Sequence, residues 1–86
     1  MQIKKELIKR EIMGDTILVP VGKTVLENNG LFVLNELGSF LWDLLPGAED
    51  EEALLQAVLA EYEVSQEVAR ADIREFLDNL RKLGII

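Results

Sequence analysis

Residues 29–45 read NGLFVLNELGSFLWDLL, and the fold turns on where this stretch changes character. Up to Leu34 it is a turn followed by a short run of Leu, Phe and Val, residue types that suit a half-buried strand. From Asn35 onward the apolar positions are Leu37, Phe40, Leu41, Leu44 and Leu45. Those fall at i, i+3, i+4, i+7 and i+8, one face of a helix. Asn35 stands at the junction as an N-cap, its side-chain oxygen placed to accept from the free amides of the first turn. Pro46-Gly47 stops the helix. The rest of the chain divides at the same place: Ile, Val, Thr and Gly are frequent before Asn35, and Leu, Ala, Glu and Arg after it. The order is strands first, helices second, an α+β protein.

Working outward, Gly14-Asp15 separates two strand-like segments. A two-residue connection with Gly first predicts a type II′ hairpin. Pro20 cannot donate to a ladder and sets the end of the second strand at an edge or exit. Residues 24–27 fit either a short strand or a crossing loop, and Asn28-Asn29-Gly30 is the second turn. Downstream, a second helix starts near Glu49 or Asp50, with an acidic first turn that complements the positive helix end. Its stripe is Leu54, Leu55, Val58, Leu59 and Tyr62. Ser65 is the N-cap of a third helix with the stripe Ala69, Ile73, Phe76, Leu77, Leu80 and Leu83, and Gly84 is its C′ stop. The expected layout is a small three-stranded antiparallel sheet (about 6–13, 16–21 and 31–34) followed by three helices (about 36–45, 50–62 and 66–83), all in one domain spanning 1–86. Trp42 lies about 100° beyond Leu41, off the stripe of its helix. It reads either as packing against the second helix or as an exposed anchor for a partner, and the small size favours packing.

Composition narrows the function. The chain has 86 residues, 9 Lys+Arg, 16 Asp+Glu, no His and no Cys, for a net charge of -7. A chain this short buries roughly 64% of its unfolded surface, enough for one modest core and little enclosed volume. Without Cys there is no thiolate nucleophile and no Cys-based zinc site; without His the usual general base and the commonest transition-metal ligand are gone. Catalysis would fall to carboxylates, Lys, Ser39, Ser65 or Tyr62, and no nucleophile stands with a base at a motif spacing. The expectation is no enzyme, no cofactor and no metal. The longest apolar run, residues 17–21, is far short of a membrane span, and the charged N-terminus is no secretory signal, which points to the cytoplasm and no membrane partner. Charge is uneven: residues 1–35 hold five basic against four acidic side chains, while residues 36–86 hold four basic against twelve acidic. The acidic segment 49–63 lacks the pattern of a calcium loop and reads as a solvated helix face, or as a docking surface for a basic patch on an enzyme.

Residues 29–86 resemble the family of coenzyme PQQ synthesis protein D, also called the RiPP recognition element. The run from Asn29 through Gly38 looks like that family's strand followed by its Leu-Asn-x-x-Gly helix start. Phe40-Leu41-Trp42-Asp43-Leu44-Leu45 with Gly47 looks like its first helix and turn. Leu59, Tyr62 and Val64 resemble its Leu-x-x-x-Tyr-x-Val. Asp72, Phe76, Leu77, Leu80, Gly84 and Ile85 resemble its closing pattern. The resemblance implies a winged-helix-like domain that binds the leader segment of a ribosomally made precursor peptide. The leader would add as a further strand on the third strand, beside the third helix. The domain would act as a peptide chaperone, presenting its cargo to a modifying enzyme, often of the radical-SAM type, as in cofactor biosynthesis, with no chemistry of its own.

Strand addition needs an unpaired backbone edge and alternating pockets. From the residues alone Leu31, Phe32, Val33 and Leu34 fit a covered central strand better than such an edge; the resemblance reverses that order and makes them the edge. On the third helix, Leu77, Arg70, Arg81 and Arg74 follow one another around one flank of the stripe, and Asp72, Asn79 and Leu83 occupy the other. The site expected from this spacing has Ile73 and Leu77 lining a pocket and Arg70, Arg74 and Arg81 meeting carboxylates of an acidic leader. The alternative for the arginines is local pairing, Glu67 with Arg70 and Asp78 with Arg81. An apolar strand edge also admits pairing with a second copy, a homodimer. Two other functions fit the architecture. A DNA-binding winged helix would need a basic helix or wing, which an acidic second helix and a neutral third do not offer, so no nucleic-acid partner is expected. A general protein-interaction adaptor is the other.

Overall fold

The computed structural model describes residues 1–22 and 32–86. Leu31, the first residue of the expected third strand and of the expected site, lies outside the described residues, as do the ambiguous segment 24–27 and the turn 28–30.

Among the described residues the chain forms strands β1 (Leu7–Ile12), β2 (Asp15–Pro20) and β3 (Phe32–Leu34), then helix α1 (Glu36–Leu44), a 3-10 turn (Leu45–Gly47), α2 (Glu51–Glu61) and α3 (Gln66–Lys82). The sheet is antiparallel throughout in the order β1-β2-β3. This is the α+β architecture expected from the change of residue types at Asn35.

The first hairpin turns one residue earlier than expected. Ile12 pairs with Asp15, so the two turn residues are Met13 and Gly14. Their φ values are 52° and 86°. Positive φ at both central positions is the type I′ pattern, whose twist matches the strands it joins, and it replaces the expected type II′ turn on Gly14-Asp15. A turn on Gly14-Asp15 would pair Met13 with Thr16. The observed register differs from that by two residues, an even number, so every side chain keeps its face.

Lys9, Leu18 and Phe32 lie side by side across the sheet, as do Arg10, Ile17 and Val33. The first row faces the helices: Leu18 is fully buried, and Lys9 reaches α1, its Nζ 2.6 Å from Asp43 Oδ2 and 3.0 Å from Ser39 Oγ. Val33 points the other way and is 65% exposed.

The first and third helices are capped by the residues expected, Asn35 and Ser65, and the second by Asp50, one of its two expected starts. Asn35 Oδ1 accepts from the Gly38 amide at 2.7 Å, Asp50 Oδ1 from Ala53 at 2.9 Å, and Ser65 Oγ from Val68 at 3.2 Å. The last helix ends in a Schellman motif: Ile85 N–H donates to the Leu80 carbonyl and Gly84 N–H to that of Arg81. Gly84 adopts φ 73°, which a Cβ would disfavour.

The three helix stripes and Leu18 and Leu34 of the sheet close one core with Leu41, Trp42, Leu45, Leu54, Leu55, Val58, Ala69, Ile73, Leu77, Leu80 and Ile85. Trp42 is a core residue, 8% exposed, and not an exposed anchor. Leu83, expected in the α3 stripe, is 45% exposed. The Schellman turn reverses the chain there and buries Ile85 instead. Phe40 and Tyr62 meet edge to face at the margin of the core, centroids 5.4 Å apart.

Candidate functional site

β3 lies at the edge of the sheet, and among the described residues no strand pairs with its outer side. Beside that edge is an open groove of about 650 Å³. Its strand wall is Phe32, Val33 and Leu34; its floor is Leu37, Gly38 and Leu41 of α1; its far wall is Asp72, Glu75, Phe76 and Asn79 of α3, with Asn35 and Asp15 closing the hairpin end. A shallower depression of about 410 Å³ continues it past Asp15 and Asn35 toward Glu36 and Ser39.

The local sequence explains this shape. The Asn35 cap starts α1 directly after β3, so the first turn of the helix passes under the strand edge. Gly38 sits at the crossing. A Cβ there would lie 3.1 Å from Asn35 Oδ1, 3.4 Å from Leu34 Cδ2 and 3.5 Å from Phe76 Cε1. Glycine thus lets the cap, the strand and α3 converge, and it keeps the groove floor low.

The structure divides the expected site residues. Phe32, Val33 and Leu34 form the groove's strand wall. Ile73 and Leu77 do not line the groove: both are 0% exposed and belong to the core. The arginines are turned away from it. Arg70 pairs with Glu52 at 3.3 Å, Arg74 with Glu51 at 3.4 Å, and Arg81 with Asp78 at 3.1 Å. Of the alternative local pairs Asp78–Arg81 forms, while Arg70 bridges from α3 to Glu52 in the first turn of α2 instead of pairing with Glu67. The helical wheel accounts for the outcome. Relative to Phe76, Ile73 and Leu77 lie about 60° and 100° round on one side, and the arginines about 120–160° in the same sense. Asp72, Asn79 and Glu75 lie about 40°, 60° and 100° in the opposite sense, and that is the side the groove occupies. The spacing orders the two flanks correctly; the docking of α3 on α2 decides which one meets β3.

The groove is therefore apolar beneath and acidic along its rim. Asp15, Asp72 and Glu75 are exposed, and among the described residues none of them forms a salt bridge and no basic side chain lines the groove. Tyr62, one of the few side chains able to do proton chemistry, lies outside the groove. Desolvation, then the carboxylates of Glu36 and Glu61, push its pKa above the ordinary 10.0, away from the range of a base near neutral pH. Among the described residues no group of three or more carboxylates is placed to hold a metal ion.

The open edge of β3 above a helix-walled groove is the main surface feature of this small α+β protein. Residues 16–86 match the coenzyme PQQ synthesis protein D (PqqD) family, and the chain belongs to it. A solved structure described as TbiB1 in complex with the TbiA(beta) leader peptide is similar to this chain. It is 27% identical, with a TM-score of 0.75, over 99% of this chain and 93% of that one. No curated protein matches the chain. No described helix is long and apolar enough to cross a membrane.

Proposed function

We propose that this protein is a non-catalytic recognition domain, spanning the whole chain, that captures the leader segment of a ribosomally made precursor peptide. The leader adds as a fourth strand on the outer edge of β3, with alternate side chains entering the groove between β3 and α3. The observation that carries this reading is the edge of β3, unpaired among the described residues, lying directly over an apolar floor. Membership of the PqqD family and likeness to TbiB1, solved with a leader peptide, support it. The bound leader is then presented to a peptide-modifying enzyme in the cytoplasm, of the radical-SAM type. The contact surface is Phe32, Val33, Leu34, Leu37 and Phe76, in place of the arginine flank.

Alternate N-methylation of a binding peptide tests the mode of capture. The TbiA(beta) leader and leaders from short reading frames beside this gene are titrated and followed by amide NMR. Strand addition uses the peptide's backbone amides at every second residue. Methylating one alternate set should abolish binding and methylating the other should leave it. Equal tolerance of both sets would refute strand addition. Co-purification of the leader with a radical-SAM enzyme in the presence of this protein, and not in its absence, tests the presentation step.

A further inference from the structure

Given strand capture on β3, we propose that this groove selects leader segments carrying a Lys or Arg two residues from an apolar side chain. The open edge and the apolar floor make the site; the carboxylates on its rim choose the occupant. Asp72 and Glu75 are i, i+3 neighbours on α3, so their side chains emerge close together and repel one another. Among the described residues neither has a cationic partner, whereas Arg70, Arg74 and Arg81 of the same helix are all paired on the far flank. Asp15 adds a third negative charge at the hairpin end of the groove. A cation placed between these groups relieves their repulsion, and an anion aggravates it.

Geometry sets the spacing. Inward-facing side chains of an added strand recur every two residues, roughly 6.6 Å apart. The wall from Asp72 to Asn79 rises about 10 Å along α3, room for two such positions. One takes an apolar residue onto Phe76 and Leu37. The other takes a long basic side chain, whose methylene stem lies on the Phe76 ring while its head reaches the carboxylates.

The test uses a ten-residue peptide of alternating valine and threonine, with one central valine replaced by lysine, glutamine or glutamate, titrated in low salt and followed by amide NMR. The lysine peptide should bind about fivefold more tightly than the glutamine peptide, and the glutamate peptide more weakly than either, as for two partly exposed ion pairs. The double variant Asp72→Asn, Glu75→Gln alters only exposed side chains and should compress the series to within about twofold. Added salt of about 0.5 M should do the same to the unaltered protein. Equal affinities, or a preference for glutamate, would overturn the charge selection while leaving strand capture standing. If no member of the series, the all-valine parent included, shifts the β3 or α3 amides, the docking reading itself falls.

Discussion

Phe76 and Leu77 are adjacent in sequence, about 100° apart on α3, and they should fail in opposite ways when truncated. Leu77 is fully buried in the core. Leu77→Ala removes three carbons and leaves a cavity, a loss of about 3–5 kcal/mol. For a chain this size, whose whole stability is on the order of 4–13 kcal/mol, that lowers Tm by roughly 12 °C or more. Phe76 is half-buried, and its open part faces the groove. Of the roughly 200 Å² of a phenylalanine, on the order of 20–70 Å² remains for a docked peptide to cover. At about 25 cal/mol per Å² this is ~0.5–2 kcal/mol, a twofold to twentyfold loss of affinity in Phe76→Ala. Phe76→Leu keeps most of the packing and should lose less of both. Thermal unfolding by circular dichroism gives the first quantity and peptide titration by NMR the second. The reasoning fails if Leu77→Ala keeps its Tm while losing peptide, because that would put Leu77 in the groove and Phe76 in the core.

Two further outcomes follow from the geometry. Met13 adopts φ 52° and is 98% exposed, so replacing it removes no packing. Asn-Gly is the preferred pair for a type I′ turn; Met13→Asn should therefore stabilise the protein by about 0.5–1 kcal/mol and raise Tm by about 2–8 °C, and an unchanged or lower Tm would contradict the turn assignment. The Arg70–Glu52 and Arg74–Glu51 pairs are more than half exposed on one partner each, so Arg70→Ala and Arg74→Ala should each alter stability by less than about 1 kcal/mol. Peptide affinity should stay within twofold, or rise for a basic peptide as cations are removed from an acidic protein; a fall of tenfold would return the arginines to the site.

Local chemistry made much of this fold legible. The caps Asn35 and Ser65, the stop at Gly84 and the helical stripes apart from Leu83 are decided within one or two turns of chain, and each is where periodicity and capping put it. The hairpin turn was displaced by one residue because methionine gives no warning of a positive φ. The site divided for a different reason. β3 follows from a short apolar run at the end of the strand region, but its place at the sheet edge comes from the family resemblance, because the run by itself reads as a covered strand. The flank of α3 that faces it depends on how α3 docks against α2, which the spacing along α3 does not contain. A signal was nonetheless present. Glu51 and Glu52 open α2 with two adjacent carboxylates, and an antiparallel neighbour with a flank of Arg70 and Arg74 is their natural complement. Pairing those two segments leaves Asp72, Glu75 and Asn79 as the side of α3 free to face β3.

The same acidic rim bears on the second use to which an open strand edge can be put. An unpaired apolar strand is a template for another chain, and proteins limit it by keeping the strand short or charging its surroundings. Among the described residues β3 is three residues long, and a short strand weakens indiscriminate pairing. A homodimer formed edge to edge through β3 would bring Asp15, Asp72 and Glu75 of one copy toward the same three groups of the other. Six carboxylates would then converge on an apolar seam with no described cation between them. Like charges juxtaposed at an interface oppose association, and here they oppose self-association as they oppose an acidic peptide. A peptide that brings its own lysine or arginine meets attraction at the same positions. On the proposed reading, the charge that makes this chain acidic acts where the backbone is unselective: hydrogen bonds along β3 would accept any extended strand, and the rim would distinguish a basic leader from a second copy of the protein.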